Sequence, residues 1–342
     1  MQPLSRSDRA TGKPSDAPGA CAQLYNRRMR TAVIGVGYLG RFHAQKYATI
    51  EDSELVAVAD VAAANRERIA TELRVPTVAD YRELLGRVDA VSIATPTPLH
   101  FEIASAFLEA GAHVLVEKPI TTTVEDARRL IEVAARTGQV LQVGHLERFN
   151  AGILALDGVL TVPRFIESHR LAPFKQRGTD VNVVLDLMIH DIDIIQDIVH
   201  APLASLDAVG ASVFSGELDI ANARIRFANG CVANTTASRV SLKTERKLRI
   251  FQDDAYMSVD LQQKILTVVR KTSGAVQGDA LPVQIEERSF EQGDALKAEI
   301  ESFLGCIANG KPPIVSGEDG LRALETAIRI TEQVTGKRYE PA

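Results

Sequence analysis

The chain has 342 residues, which is too long for one ordinary domain and suits two. With 45% hydrophobic and 24% charged residues it can bury a sizeable core, and a formal net charge of −5 without a long basic run gives no indication of a nucleic-acid partner. No stretch approaches ~18 consecutive apolar residues, so no membrane span is predicted.

Residues 1–28 form a polar segment rich in Ser, Asp, Arg, Pro and Gly, without hydrophobic periodicity. It contains basic residues but lacks the apolar stretch of a secretory signal, so we expect a disordered extension. Met29 stands just before the first predicted strand, and we hypothesise that it is the native start. The cysteines Cys21, Cys231 and Cys306 are far apart and match no metal spacing, which indicates free thiols in a reducing cytoplasm.

From Arg30 onward, short apolar runs alternate with segments of helical character. The predicted strands are Thr31–Gly35, Glu54–Ala59, Ala90–Ala94, His113–Val116 and Val140–Val143. The predicted helices are one that ends at about Ile50, Ala62–Leu73, Phe101–Ala110 and Val124–Arg136. This alternation is typical of a doubly wound, parallel α/β sheet, and we assign it to a domain over residues 29–150.

The second half has a helix at about Val183–Val199, followed by strands with few helices between them. The predicted strands are Ser205–Phe214, Glu217–Phe227, Cys231–Ser238, Lys247–Phe251, Ala255–Asp260, Ile265–Val269 and Val283–Arg288, with turns at Ala228–Gly230 and Ser273–Gly274. Consecutive strands with short turns predict an α+β domain with a large open, mostly antiparallel sheet over residues 151–315. Helices are predicted at Asp294–Ala308 and, within the C-terminal segment 316–342, at Glu318–Val334 with Ser316 as N-cap.

A glycine-rich turn lies between the first predicted strand and helix. Gly35–Gly40 has the pattern G-x-G-x-x-G, and Asp60 ends the second strand about 20 residues later, which together predict a Rossmann dinucleotide site. Asp60 would bind the adenosine ribose and repel a 2′-phosphate, and no arginine follows it directly, so NAD is favoured over NADP. The residues expected to hold the cofactor here are Gly35, Gly37, Tyr38, Leu39, Gly40 and Asp60.

Lys118 follows the predicted strand His113–Val116 and precedes Pro119. Taken alone it would be an ordinary solvated lysine. Ligands bind outside the carboxyl ends of strands in open α/β sheets, however, so Lys118 is expected beside the nicotinamide. A cation there can bind a substrate oxygen and stabilise developing negative charge on it.

Asp186 and His190 are spaced i, i+4 on an otherwise apolar helix, and Asp193 and Asp197 continue the same stripe. A satisfied core network is one interpretation, and a metal site of Asp186, His190 and Asp193 is another. No further His or Cys lies nearby in sequence, so no metal is predicted. The functional interpretation makes His190 the general base that removes a hydroxyl proton, with Asp186 orienting its imidazole.

Substrate contacts are harder to assign. Arg148 and Asn150 follow the last strand of the first half, and we expect them to face the cleft and contact substrate. Two groups of basic residues suit a nucleotide diphosphate, although surface charge or pairing between subunits explains any one of them equally well. The first group is Arg170, Lys175 and Arg177, and the second is Arg239, Lys243, Arg246, Lys247 and Arg249.

These motifs together resemble the glucose–fructose oxidoreductase / inositol dehydrogenase / rhizopine catabolism family. The matching features are Gly35–Gly40, Asp60, Ala94–His100, Glu117–Pro119, and Asp186 with His190. The resemblance implies NAD(P)-dependent oxidation of one hydroxyl group on a sugar, polyol or sugar nucleotide, and a homodimer or homotetramer packed through the open sheets. It implies a cis Lys118–Pro119 bond and cofactor contacts from Thr95, Pro96, His100, Glu117 and Lys118. The family often has Asn where this chain has Thr97.

Three phrases resemble the branch of that family whose members oxidise the 3-hydroxyl group of UDP-N-acetylglucosamine. They are Gln142–Asn150, Ile166–Pro173 and Val184–Asp191. This resemblance implies a UDP-sugar substrate and an aminotransferase that acts next, towards lipid A with diamino sugars. Alternative substrates are UDP-N-acetylglucosaminuronate, an inositol or a free hexose. A hypothesis from another class is a non-catalytic regulator that binds the dinucleotide only to control transcription.

Overall fold

The computed structural model describes residues 28–175, 181–272, 282–291 and 293–340. The expectations for residues 1–27, for Arg177 and for the turn at Ser273–Gly274 lie outside this described part. Among the helices described, none combines the length and apolar character that crossing a membrane requires.

The first sheet has six parallel strands in the order β3-β2-β1-β4-β5-β6. The strands are β1 Met29–Ile34, β2 Ser53–Ala59, β3 Thr77–Val78, β4 Ala90–Ile93, β5 His113–Glu117 and β6 Leu141–Gly144. The helices between them are α1 Tyr38–Tyr47, α2 Ala63–Leu73, α3 His100–Glu109 and α4 Val124–Thr137. The predicted doubly wound parallel sheet is therefore confirmed, and only the two-residue β3 was not predicted, because it is too short to show a period.

The strands are apolar throughout because both faces of this sheet are covered. Successive residues of β5 point to opposite faces. Val114 and Val116 join the core that contains Phe107 of α3, whereas Leu115 joins a second core with Tyr47 of α1. The carboxyl ends of the strands thus form an edge at which a ligand can bind.

The second sheet has eight strands in the order β14-β13-β12-β11-β7-β10-β9-β8. The strands are β7 Phe165–Leu171, β8 Leu203–Ala211, β9 Ile220–Phe227, β10 Val232–Ser238, β11 Glu245–Phe251, β12 Ala255–Asp260, β13 Ile265–Lys271 and β14 Val283–Ser289. Only the β7–β10 pair is parallel among the described pairs, so the mostly antiparallel sheet is confirmed. The central β7 was not predicted, because two of its inward-facing residues, Ser168 and Arg170, are polar and interrupt the apolar alternation.

Four helices complete the described chain. They are α5 Ala151–Leu154, α6 Ile189–Val199, α7 Ala295–Asn309 and α8 Gly317–Thr335. Ser316 caps α8 as predicted: its hydroxyl accepts the Asp319 N–H at 3.2 Å, and the Asp319 carboxylate accepts the Ser316 N–H at 2.8 Å. Although α7 follows the second sheet in sequence, Phe303 on it packs in the same core as Tyr47 of α1. The domain boundaries drawn from the sequence stay predictions.

One face of the second sheet packs on helices, and α6 contacts both β7 and β10 there. The residues of the opposite face are half-exposed and alternate with buried ones along the strands. Phe165, Phe251 and Tyr256 form a row of rings on this face, with centroids 5.7 and 4.9 Å apart. The second sheet is therefore open on one side, as expected.

Candidate active site

The glycine turn after β1 has the geometry that the fingerprint predicts. Gly35 has a φ of +82°, and a Cβ atom on it would lie 2.9 Å from the Ala94 carbonyl group. A Cβ atom on Gly40 would lie 1.8 Å from the Gly35 carbonyl oxygen. Tyr38 and Leu39 form the first turn of α1, where backbone N–H groups lack partners within the helix. The turn is therefore a close-packed anion cradle at a helix N-terminus.

Asp60 holds this turn from the end of β2. Its carboxylate accepts the Val36 N–H and the Ala62 N–H, each at 2.8 Å, and has further lone pairs for ribose hydroxyl groups. Arg66 on α2 donates to the Asp60 carbonyl oxygen at 2.7 Å, so an arginine does approach this site, although the sequence places none directly after Asp60. A cavity of about 460 Å³ includes Asp60 and Pro96 in its wall, and the site therefore fits a dinucleotide.

Thr95, Pro96 and His100 follow β4, but they do not all reach a cavity. Pro96 lines both the Asp60 cavity and a second cavity that contains Lys118, so the two are contiguous there. His100 is only 1% exposed, and its ring nitrogens lie 2.9 Å from the Thr95 carbonyl oxygen and 3.0 Å from that of Pro119. Burial lowers the pKa of His100, although the two carbonyl groups oppose the effect. The ring of His100 therefore joins two loops, and its contact with the cofactor stays a prediction.

Lys118 lies at the carboxyl end of β5 and precedes the cis bond to Pro119 that the resemblance implies. Its Nζ atom donates to the Asp186 carbonyl oxygen at 2.8 Å and lies 3.6 Å from the Asp186 carboxylate. Burial lowers the pKa of Lys118, while the charges of Asp186 and Glu117 oppose that effect. Lys118, Asp186 and Asn182 line a cavity of about 440 Å³.

Glu117 does not point its carboxylate towards the dinucleotide cavity. The side chain is almost fully buried, and its Oε1 atom lies 2.9 Å from the His43 Nε2 atom of α1. A direct contact between this carboxylate and the cofactor is therefore not supported. The carboxylate instead lies behind Lys118, between the sheet and α1.

Asp186 and His190 both lie near Lys118, but they are not paired with each other. The helix begins with a π-helical turn over Val184–Met188, so the i, i+4 geometry of an α-helix does not apply across Asp186. The His190 Nδ1 atom is buried and has no hydrogen-bond partner among the described residues. Asp186 therefore pairs with Lys118. The structure gives no support to the expectation that it orients the imidazole, which stays a prediction.

His190 is held in its neutral form. Burial lowers its pKa well below the ordinary value of 6.5, and the positive charges of Lys118 and Arg170 add to this effect. A neutral imidazole has a free lone pair, which a general base requires. The structure thus places a hydrogen-bond donor, Lys118, and a proton acceptor, His190, at one end of the first sheet.

His145 is a candidate site residue that the sequence analysis missed. It directly follows β6, its ring centroid lies 6.4 Å from that of His190, and both its nitrogens are buried without a hydrogen-bond partner in the described chain. Its Nδ1 atom is 3.9 Å from the Asp193 carboxylate, and burial lowers its pKa. Its position at the carboxyl end of a parallel strand was the signal that could have identified it.

The side chains of Arg148 and Asn150 bind other groups of the same chain. The Arg148 guanidinium is 4% exposed and binds both oxygens of Asp193 at 2.7 and 2.9 Å, while Asp197 also pairs with it. Asn150 caps α5 through the Gly152 N–H at 3.0 Å and donates to the Leu261 carbonyl oxygen at 2.9 Å. The polar groups of Arg148 and Asn150 are already paired, so the structure gives no support to the expected substrate contacts, which stay predictions.

Most of the basic residues are also paired within the chain. Arg170 lies in β7, and it binds Asp191 and Glu147, each at 2.8 Å. Four of the five residues in the second group are held by neighbouring acids and carbonyl groups of the described chain, and Lys247 is the exception. Arg239 binds the Val181 carbonyl oxygen, Lys243 pairs with Glu245, Arg246 with Glu147, and Arg249 with Glu167. Lys175 is exposed, and no set of three or more His, Cys, Asp or Glu side chains in the described ranges is placed to hold a metal ion.

Two family profiles and several relatives match this chain. The profile of an oxidoreductase family with an NAD-binding Rossmann fold matches residues 29–145, and that of its C-terminal α/β domain matches residues 167–341. UDP-N-acetylglucosamine 3-dehydrogenase from Acidithiobacillus ferrooxidans is 43% identical over 88% of this chain and 96% of that protein. The solved structure of that enzyme has a TM-score of 0.86, with 42% identity over 90% of this chain and 98% of the other. A scyllo-inositol 2-dehydrogenase from Bacillus subtilis is 28% identical over 89% and 93% of the two chains.

Proposed function

The chain belongs to the glucose–fructose oxidoreductase / inositol dehydrogenase / rhizopine catabolism family, and we propose that it oxidises the 3-hydroxyl group of UDP-N-acetylglucosamine to a 3-keto group. It is an NAD-dependent oxidoreductase that acts on a CH–OH group. The substrate is proposed from the 43% identity to a UDP-N-acetylglucosamine 3-dehydrogenase along nearly its whole length. The single structural observation that supports the activity is that Lys118 lines a cavity at the carboxyl end of β5, with His190 close enough for the lysine charge to act on it.

NAD would be held by the glycine turn and by Asp60. The turn has no room for a side chain at Gly35 or Gly40, so a pyrophosphate could approach its backbone and the N-terminus of α1 closely. The free lone pairs of Asp60 suit the ribose hydroxyl groups. Bound NAD accepts a hydride from the carbon that carries the reacting hydroxyl group.

The side chains of this protein would handle the hydroxyl group. The Lys118 ammonium would donate a hydrogen bond to the substrate oxygen and stabilise the negative charge that develops as the proton leaves. His190 would accept that proton on its free lone pair and become an imidazolium. The C–H electron pair leaves as hydride and the O–H proton goes to His190, so the product is a ketone.

Asp186 would act mainly on Lys118. Its carboxylate is 3.6 Å from the lysine Nζ atom, and its carbonyl oxygen accepts a hydrogen bond from the same atom. An opposite charge at this distance favours the ammonium form, which would otherwise lose its proton more readily in a buried site. Asp186 would therefore keep the lysine charged and aimed at the cavity.

Related substrates are the second candidate. An inositol dehydrogenase covers 89% of this chain at 28% identity, so an inositol, a hexose or UDP-N-acetylglucosaminuronate would fit the same chemistry. The higher identity to the UDP-sugar enzyme favours UDP-N-acetylglucosamine. A non-catalytic regulator is disfavoured because Lys118, Asp186 and His190 are all present and are brought together.

In the test, each candidate substrate is incubated with NAD. Turnover is monitored by the absorbance of reduced nicotinamide, and the keto product is identified by mass spectrometry. We expect UDP-N-acetylglucosamine to be oxidised and the inositols and hexoses to react poorly. Lys118→Met and His190→Gln should lower kcat by about a hundredfold or more while NAD still binds. His200→Asn is the matched control, because His200 is exposed and has a positive φ of 49° that Asn tolerates. Absence of turnover with UDP-N-acetylglucosamine would refute the proposed substrate.

We propose further that the protein forms a homodimer or homotetramer through the open face of the second sheet. The row of Phe165, Phe251 and Tyr256 on that face supports the proposal, since aromatic side chains favour interfaces. We also propose that it works in the cytoplasm and that an aminotransferase acts on the keto sugar, towards lipid A with diamino sugars. The buried free thiols of Cys231 and Cys306 agree with a reducing compartment.

A further inference from the structure

A layer of polar side chains is buried between the first sheet and the helices α1 and α7. The strands, α1 and α7 contribute Ser92, Glu117, Gln142, His43, Tyr47 and Glu299. None of these residues is more than 8% exposed. The Tyr47 and Ser92 hydroxyl groups pair with each other at 2.8 Å, so the remaining members are the ones whose charge and partners require an explanation.

Glu117 is fixed in this layer, one residue before Lys118. Its Oε1 atom lies 2.9 Å from the His43 Nε2 atom, and its Oε2 atom accepts the Lys118 backbone N–H at 3.3 Å. A Cβ atom on Gly144 would lie 3.0 Å from the same carboxyl group, so β6 also confines it. The carboxylate thus contacts His43 of α1 on one side and accepts a hydrogen bond from the Lys118 backbone on the other.

Glu299 is in the opposite situation. It is fully buried, and neither of its carboxyl oxygens has a hydrogen-bond partner in the described chain. The Gln142 amide donates to the backbone carbonyl oxygen of Glu299 at 3.3 Å, while the Gln142 Oε1 atom and the His43 Nδ1 atom also lack partners. Buried polar atoms left in this way normally bind internal water. A buried carboxyl group without a hydrogen-bond donor is more stable in its protonated form than as an anion.

We propose that Glu117 is a positioning residue for Lys118, kept ionised by His43, while Glu299 stays neutral so that a single negative charge stands behind the lysine. The inference rests on the proposed role of Lys118 in substrate binding. An ionised carboxylate only accepts hydrogen bonds, so the His43 Nε2 atom must carry a hydrogen.

The charges that face Glu117 support this division. Burial opposes ionisation of Glu117, but the hydrogen bond from His43 and the charge of Lys118 keep its pKa below the ordinary value. Burial and the charge of Glu117 both raise the pKa of Glu299 well above its ordinary value. The buried hydroxyl of Tyr47 also keeps its proton, because burial raises its pKa. Ionisation is therefore favoured at Glu117, which has a hydrogen-bond donor, and disfavoured at Glu299, which has none among the described residues.

The direct test measures the protonation of Lys118 without substrate. The full protein is acetylated with trace acetic anhydride over a range of pH, and modification of Lys118 is followed by peptide mass spectrometry. Glu117→Gln keeps the shape but removes the charge, so the pH of half-maximal reaction should fall by about 1. Glu299→Gln replaces one neutral group by another, so the pH of half-maximal reaction should not change. Glu301→Gln, on the exposed face of the same helix, is the matched control.

His43 is tested with two variants. His43→Gln keeps an N–H donor for Glu117, so the pH of half-maximal Lys118 acetylation should equal that of the natural protein. His43→Leu removes the donor, so this pH should fall as it does in Glu117→Gln. In Glu117→Gln and His43→Leu, the alkaline limb of the pH profile of kcat/KM should move to lower pH. If His43→Leu does not fold, the Gln variants of Glu117 and Glu299 decide the question alone.

The pH dependence of stability tests the protonation state of Glu299 independently. A carboxyl whose pKa is raised on folding opposes folding above its unfolded pKa of about 4.5, and that cost grows as pH rises towards the folded value. Glu299→Gln should therefore melt at a higher temperature than the natural protein at pH 8, and the difference should vanish near pH 4. An unchanged Lys118 midpoint in Glu117→Gln, or an equal fall in Glu299→Gln, would overturn the inference. Because labelling and melting need no turnover, this failure is distinct from a failure of the proposed substrate.

Discussion

Replacement of Gly40 by alanine should weaken both the fold of the dinucleotide turn and its binding of NAD. The new Cβ atom would lie 1.8 Å from the Gly35 carbonyl oxygen, a contact that neither backbone can relieve without moving. The start of α1 and the turn would have to separate by roughly 1 Å or more. Forced insertion of a methyl group into a well-packed site costs about 1–3 kcal/mol. A cost of that size lowers Tm by about 2–4 °C per kcal/mol.

Two further glycines supply matched controls for this substitution. A Cβ atom on Gly37 would meet nothing within 4 Å, so Gly37→Ala should fold normally but obstruct the close approach of the pyrophosphate. Gly305 lies within α7 with open space around it, so Gly305→Ala should stabilise the protein by about 0.5–1 kcal/mol and leave NAD binding unchanged. The three variants carry the same chemical change in three different environments.

The assays are calorimetric melting of the protein without cofactor and isothermal titration with NAD. Gly40→Ala should lose both stability and NAD affinity, Gly37→Ala only affinity, and Gly305→Ala neither. We expect affinity losses of at least tenfold, which corresponds to about 1.4 kcal/mol. Normal NAD affinity and normal Tm in Gly40→Ala would show that the turn is not close-packed as described. Normal affinity in Gly37→Ala would show that the pyrophosphate does not approach this backbone.

Three other substitutions test separate parts of the site. Asp186→Asn removes a charge 3.6 Å from the Lys118 Nζ atom, so Lys118 should lose its proton more readily and the alkaline limb of the kcat profile should move down by about 1 in pH; an unmoved limb would contradict this. Arg148→Met leaves the buried Asp193 unpaired, which should cost about 3–5 kcal/mol in urea unfolding, and the added change Asp193→Asn should recover part of it. Asp60→Asn removes the charge that opposes a 2′-phosphate, so the ratio of kcat/KM for NAD to that for NADP should fall at least about tenfold; an unchanged ratio would place the selectivity elsewhere.

The dinucleotide turn and Lys118 were predictable because their geometry follows from residues close in sequence. A strand, a glycine turn and a helix N-terminus are consecutive, so the spacing in Gly35–Gly40 is sufficient to define the cradle. Lys118 was placed correctly because every parallel strand of an α/β sheet ends at the same edge. The strands and helices of the first half were found for the same local reason, since each shows its own hydrophobic period.

The roles of Asp186, Arg148 and His100 were not predictable in this way. Asp186 and His190 lie on consecutive helical turns, but a π-helical turn at Asp186 changes the angle between their side chains. The pattern of apolar residues in the sequence does not predict such a turn. Arg148 has the same charge whether it binds a substrate or Asp193, and the partner lies 45 residues away. The strand β7 was missed because the polar Arg170 on its inner face is satisfied by Asp191 from another element.

The sequence by itself therefore determined the two-part α/β and α+β organisation, the NAD-binding turn and the position of the lysine, since these depend on local periodicity and on the common edge of parallel strands. The tertiary structure decided which polar groups are free. Pairing with distant partners occupies Arg148 and Arg170. Lys118 lines the cavity, and the His190 Nδ1 atom has no hydrogen-bond partner among the described residues. A charged side chain acquires its role from what is packed against it, because burial makes an unpaired polar group costly, and those neighbours are fixed only when the chain has folded.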